Sequence, residues 1–239
     1  MEKAIWKQAA NPYFWEEYAQ WYQQWLDHCS YHKGIIDFAE GIVRPGWKVL
    51  DIGSGSGVLS LPLSRKGCRV TALEPAENMR RYLHKHLSLS TARDRNVHVD
   101  TRPWETVPVE AYEHYDLMVA CNSLHVTPMG FGAALRKVFN HRPKHILVMT
   151  EFVSQDIKVP LIKADYTIER VCVNKVKSSF AYHTVAEAIF HWSVQKGCPP
   201  GKEEIKQIRS NLVSRKNHLW MEEETWLGMY HWRKKEVPF

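Results

Sequence analysis

No apolar run in this chain approaches the roughly 18 residues of a membrane-spanning helix, and the longest, such as Ile146 to Met149, are strand-sized. The opening stretch, MEKAIWKQAANPYFW, lacks the apolar core of a secretory signal, so a cytosolic protein with no membrane partner is expected. Cysteine is sparse. Cys29, Cys68, Cys121, Cys172 and Cys198 are odd in number and include no C-x-x-C pair, which argues against a disulfide framework and a zinc ribbon. Internal repeats and low-complexity tracts are missing too. The 239 residues, 44% of them hydrophobic, suffice for a core that needs no covalent or metal staple. A net charge of +6 leaves room for an anionic partner. The basic residues are nevertheless scattered, with small clusters at Arg80-Arg81, His84 to His86 and Arg233 to Lys235, and form no continuous stripe of the kind nucleic-acid binders carry.

Residues 11–45 read as helical, opened by Asn11-Pro12 and closed by Arg44-Pro45-Gly46. Within them Trp15, Tyr18, Tyr22 and Trp25 have the i, i+3, i+7, i+10 spacing of one helical face. That face is either turned to the core or closed over a ligand. Short apolar runs at 48–52, 69–74, 97–100, 115–121 and 145–152 then alternate with helical patterns at 56–66, 77–89 and 129–140. Strands alternating with helices imply right-handed crossovers and a doubly wound, mostly parallel α/β sheet. Beyond it come a candidate strand at 166–173, a helix at 184–196 with Thr184 as its cap, a breaker at 197–201 and a helix at 202–213. Residues 219–221 and 226–232, separated by an acidic turn, look like a hairpin. The expected organisation is an aromatic helical segment at 1–46, an α/β core at 47–154, a helical cap at 155–213 and a hairpin completing the sheet at 214–239.

The most informative stretch is Val49-Leu50-Asp51-Ile52-Gly53-Ser54-Gly55-Ser56-Gly57, an apolar strand leading through alternating glycines into a helix. Glycines there permit positive φ and let a ligand approach bare backbone. The spacing is G-x-G-x-G, with Val58 where a dinucleotide fingerprint wants glycine, and no G-K-[ST] of a phosphate-binding loop follows. Glu74 ends the second strand 21 residues after Gly53, where a carboxylate accepts hydrogen bonds from both ribose hydroxyls of a nucleoside.

These residues, with Leu73-Glu74-Pro75, Val99-Asp100, Trp104, and Tyr115-Asp116-Leu117 leading to Asn122 and His125, resemble the class I S-adenosylmethionine-dependent methyltransferases over about residues 11–152. The resemblance implies a seven-stranded sheet with one antiparallel strand and a cofactor, S-adenosylmethionine, lying across the strand ends and leaving as S-adenosylhomocysteine. By that pattern Asp51 and Gly53, Ser54, Gly55 and Gly57 hold the methionine portion, Glu74 with Pro75 the ribose, and Asp100 with Thr101 the adenine side; Asn122 lies on the same rim. Trp104 departs from the smaller residues usual there and is left between adenine stacking and core. Tyrosines before the glycine loop in related enzymes make Tyr18 and Tyr22 candidates for the cofactor carboxylate, on a helix that serves as a lid.

Methyl transfer is an in-line displacement, so the protein mainly has to align the two partners. A base helps where the acceptor arrives protonated, and His125 at the end of the fourth strand is the candidate. His28, Cys29 and His32 lie about one turn apart without an evident fourth ligand, and no metal is assigned. Tyr182, His183, His191 and Trp192 in the cap are expected to touch the acceptor. A small-molecule acceptor is the expectation; RNA or a non-catalytic, cofactor-binding role are the alternatives.

Overall fold

Strands covered on both faces need apolar residues at successive positions, and three segments supply them. In the computed structural model, which describes residues 12–90, 96–151, 159 and 164–236, these become β1 (Lys48–Ile52), β4 (Leu117–Cys121) and β5 (His145–Glu151). Leu50, Ile52, Met118, Ala120, Ile146 and Val148 point to one core layer, and their neighbours Val49, Leu117, Val119, Leu147 and Met149 to the other. The first layer is closed by Ala134, Leu135 and Val138 of α5 (Phe131–Asn140). The second is closed by Ile35 and Ala39 of α2 (Tyr31–Glu40) and Leu63 of α3 (Ser60–Arg65).

With β2 (Arg69–Leu73), β3 (Val97–Asp100), β6 (Tyr166–Lys177) and β10 (Glu224–Lys234), the strands form a seven-stranded sheet in the order β3-β2-β1-β4-β5-β10-β6. β10 runs antiparallel to both β5 and β6, and the remaining neighbours within β3 to β5 are parallel. This is the mostly parallel doubly wound sheet that the alternation implies.

The C-terminal third differs from the expectation. The strand anticipated at 166–173 continues to Lys177 within the main sheet, so residues 155–213 are not wholly a helical cap. Nor do the last two strands form a hairpin with each other. β9 (His218–Met221) pairs with β7 (Phe180–Tyr182) and β8 (Leu212–Arg215) in a separate three-stranded sheet, and only β10 enters the main one. The acidic turn is therefore a passage between two sheets. The small sheet carries α6 (Val185–Lys196) and α7 (Lys202–Asn211); Thr184 caps α6, its Oγ1 accepting from Glu187 N at 3.1 Å.

The aromatic segment is two helices, α1 (Pro12–His28) and α2, broken at Cys29-Ser30; Asn11 and Phe152 lie outside the described residues. The face expected from the spacing is divided. Tyr18, with Phe14 and Trp21, packs on Tyr182, Ala188 and Ile208 of the accessory unit, while Trp15 and Tyr22 also reach Ala76 and Met79 beside the main sheet. Glu16 ties α1 down at that end. Its carboxylate accepts from the backbone N–H of Glu77 at 2.6 Å and of Asn78 at 2.7 Å, capping α4 (Glu77–Ser88) from outside, where a negative charge suits the helix N-terminus.

Candidate active site

At the C-terminal ends of β1, β2 and β4, where doubly wound sheets bind their ligands, a cleft enclosing about 990 Å³ of space, part of it open to solvent, lies between the sheet and α1–α2. Its floor is Ile52, Gly53, Gly55, Leu73, Glu74 and Pro75. Its roof is Trp15, Tyr22, Trp25 and His32, and its far rim runs from Cys121 and Asn122 to Pro128.

The glycine loop has the backbone that glycine is needed for. Gly53 and Gly55 have φ of +68° and +56°. A Cβ at Gly53 would stand 2.5 Å from Ser123 Cβ; one at Gly55 would face Met79 Cε at 3.2 Å and Tyr22 Cε1 at 3.8 Å, on the wall of the cleft. Close approach to the backbone thus depends on the missing side chains.

Glu74 is 6% exposed and organises the loop. One carboxylate oxygen accepts from Gly55 N at 2.8 Å and the other from Ala76 N at 2.9 Å. Burial pushes its carboxyl up to about 7, against the opposing pull of those two amides and of Arg80. Asp51, 2% exposed, accepts from Ser60 Oγ at 2.7 Å and is likewise pushed up by burial, to about 6. It stands behind the loop.

Tyr22, Gly53, Gly55, Glu74, Pro75 and Asn122 are thus brought together on the cleft wall, and the other candidates lie elsewhere. Tyr18 faces away: its hydroxyl pairs with His191 Nε2 at 2.9 Å and accepts from Gln195 Nε2 at 3.0 Å. Asp100 is engaged by Arg102, with Nη2 to Oδ2 at 2.7 Å, and by the Tyr112 hydroxyl, which together hold its carboxyl well below the usual range. Thr101 is exposed next to it, and Ser54 and Gly57 are buried on the back of the loop, Gly57 against Leu83. His125 sits half-buried in the single turn Leu124–Val126, off the cleft wall, its imidazole pushed down to about 4 by burial.

Trp104 is a core residue that also lines the cleft. It is 3% exposed, donates from Nε1 to Ala134 O at 3.3 Å, and borders the cleft beside Pro103. Tyr182 and His191 are core residues of the accessory unit, joined at 2.7 Å, and among the described residues none after Pro128 lies on the cleft wall. His28, Cys29 and His32 do not converge. His28 is exposed beside His218, Cys29 donates to Lys177 O at 3.5 Å, and His32 points to the cleft.

His32 is the residue that local spacing did not reveal as a site group. It is 8% exposed, its Nε2 lies 3.4 Å from the Tyr22 hydroxyl, and its Nδ1 has no hydrogen-bond partner among the described residues. Burial pushes its pKa down to about 3, so the ring is neutral at physiological pH. Beside it Asn122, at φ +51°, accepts from Glu151 N at 2.9 Å through Oδ1 and donates to the Tyr31 hydroxyl at 2.7 Å. A buried imidazole nitrogen left open in a cleft that also holds a carboxylate and bare glycine backbone fits a polar, nucleoside-sized ligand under an aromatic roof.

Fold, glycine loop and acidic strand end together fit a methyltransferase, and the comparisons point the same way. A family model described as a methyltransferase domain matches residues 49–142. That match and the relatives that follow support a class I S-adenosylmethionine-dependent methyltransferase. It is 23% identical over 193 residues to the mitochondrial ubiquinone biosynthesis O-methyltransferase of Bos taurus, covering 78% of this chain and 46% of that one. To the ubiquinone biosynthesis O-methyltransferase of Methylobacterium sp. (strain 4-46) it is 44% identical over 87 residues, covering 35% of this chain and 32% of that one. The chain spans less than half the length of these curated relatives. Among solved structures, coclaurine N-methyltransferase bound to N-methylheliamine and S-adenosylhomocysteine superposes with a TM-score of 0.52 at 15% identity, covering 85% of this chain and 70% of that one, a likeness of fold.

Proposed function

We propose that the protein transfers a methyl group from S-adenosylmethionine to an oxygen of a small, ring-bearing acceptor. The observation that carries this reading is the buried Glu74 carboxylate, tied to Gly55 N and set in the floor of an aromatic-roofed cleft. The choice of oxygen follows the O-methyltransferase relatives, and the ring follows the flat walls of Trp15, Tyr22, Trp25 and Trp104.

Glu74 would hold the ribose hydroxyls and the Gly53–Gly55 backbone the chain beyond them. When bound, S-adenosylmethionine supplies an electrophilic methyl on a sulfonium. The rest falls to alignment and to exclusion of water by the aromatic roof. In the tautomer that donates from Nε2 to Tyr22, His32 leaves Nδ1 to accept a hydrogen bond that orients the substrate hydroxyl, a position His125 does not occupy; with its pKa pushed down to about 3 the ring aligns the acceptor oxygen and does not take its proton.

The test is an assay of methyl-labelled S-adenosylmethionine with a panel of phenols, scored by the position of the label. Transfer to a phenolic oxygen is expected. His32→Ala should lower kcat by about 10-fold, the worth of one orienting hydrogen bond of about 1.4 kcal/mol, with donor affinity nearly unchanged. Donor binding without transfer to any oxygen acceptor would overturn the O-methyl reading, and an unaltered kcat in His32→Ala would remove the role of His32.

A further inference from the structure

At the opposite end of the sheet from the methyl-donor cleft, where β1 and β5 begin and β10 ends, a second and wider cleft encloses about 1,270 Å³, part of it open to solvent. Six cationic side chains from four separate stretches of chain line it: Arg44, Lys144, Arg170, Arg233, Lys234 and Lys235. Only Glu169 and Glu236 oppose them on the wall. Arg233 is matched by Glu169 at 3.1 Å, and Lys144 by Asp116 at 2.8 Å. Arg44, Arg170, Lys234 and Lys235 make no ion pair with a described residue. Cations held together without counter-charges repel one another, and a groove concentrates their field on whatever enters it.

The cleft is built into the fold. Trp47 stacks on His145 with centroids 4.6 Å apart, and His145 on His231 at 5.2 Å, a ladder of three flat rings along one wall. His145 Nδ1 and His231 Nε2 are 3.0 Å apart, which leaves Nδ1 of His231, a residue 6% exposed, with no partner among the described residues. Next to it the sheet is irregular. His231 opposes Arg170 and Trp232 opposes Ile168, so Glu169 is an extra residue on β6, a bulge of the kind that re-aims side chains beside functional sites.

We propose that this cleft is a binding site for a small molecule carrying a diphosphate group, separate from the methyl-transfer site and independent of its assignment. A single phosphate would leave most of the space and two or more of the four unmatched cations unused; a diphosphate spans several of them and offers acceptors to a buried imidazole nitrogen. A long nucleic acid needs a track across the surface, and here the cations are gathered in one hollow.

Titration calorimetry of the full chain with sodium pyrophosphate at low salt tests the site. One pyrophosphate per chain is expected, bound at least tenfold more weakly by the double variant Arg170→Ala/Lys234→Ala, whose side chains reach solvent and whose removal spares the core. S-adenosylhomocysteine should bind both proteins equally, which shows that the fold and the donor site survive. Equal pyrophosphate binding by wild type and variant would overturn the proposal, as would binding of a single-stranded RNA oligonucleotide that pyrophosphate fails to displace.

Discussion

Gly55→Val is expected to abolish measurable binding of S-adenosylmethionine in a calorimetric titration, a loss of at least about 100-fold, or about 2.7 kcal/mol. Two effects add. The φ of +56° costs a β-branched residue about 1–2 kcal/mol or more wherever the side chain points. The new Cβ also stands 3.2 Å from Met79 Cε and 3.8 Å from Tyr22 Cε1, so its methyls enter the space between floor and roof. Glu74→Ala attacks the same site differently. It removes the acceptor for the ribose and leaves Gly55 N and Ala76 N without their buried partner, at about 1–3 kcal/mol for each orphaned donor. Glu74→Gln separates charge from shape. Because burial holds the Glu74 carboxyl near 7, wild-type donor affinity should rise between pH 6 and pH 8 as the carboxylate forms, and the Gln variant should show no such rise. Wild-type affinity in all three variants would place the donor elsewhere.

The second large effect is on stability and lies at His191, which is 1% exposed. Its ring bridges two buried hydroxyls, Tyr182 at 2.7 Å and Tyr18 at 2.9 Å, and stacks on Trp21 at 4.5 Å. It is the pin between α1 and the accessory unit. His191→Ala should destabilise the chain by about 3–5 kcal/mol, from the cavity and from two hydroxyls deprived of a partner. Tyr18→Phe removes one of those bonds and should cost about 1 kcal/mol while leaving donor affinity unchanged. Denaturant unfolding and calorimetry on the same samples check both.

His191 also makes stability depend on acid. Burial pushes its folded pKa down to about 3, against 6.5 for the free imidazole. Below pH 6.5 the unfolded chain therefore binds a proton that the folded chain refuses, and stability falls as pH falls, by up to about 1.4 kcal/mol per pH unit for each such histidine. Above about pH 7 the effect is gone. His32, held near 3, and His125, held near 4, act in the same direction. The His191→Ala variant, though less stable, should show a shallower slope between pH 6 and pH 4.

How much of this was legible beforehand follows from the range of the forces involved. β1, β4 and β5 declare themselves because burial on both faces demands apolar runs, and the glycine loop because its backbone excludes side chains at φ near +60°. Those constraints act within a few residues. The hairpin expected between the last two strands gives way to other partners: β10 pairs with the distant β5 and β6, and β9 with the distant β7 and with β8 just before it. The far end of β6 carries no such signal, because beyond Val173 Asn174, Lys175 and Lys177 are exposed and Val176 alone is half-buried, without the apolar run that marks a central strand. Tyr18 and Tyr22 illustrate the limit within one helix. Four residues apart, they share a stripe wide enough to face two neighbours, and only the placement of the accessory unit sends Tyr18 to His191 and Tyr22 to the cleft. His32 reaches the cleft because the chain breaks at Cys29-Ser30 and restarts as α2, a geometry that a count of spacings along one continuous helix misses.

The most direct measurement is amide hydrogen exchange of the full chain with and without S-adenosylhomocysteine. Binding in the cleft should slow exchange together at Gly53 to Gly55, at Ala76 and along residues 13–31, the floor and the helix above it, because closure of the roof expels water from both. Exchange in the small sheet of β7, β8 and β9 should change little. Protection confined to regions outside the cleft, or none at the glycine loop under saturating ligand, would contradict the assignment of this cleft as the methyl-donor site.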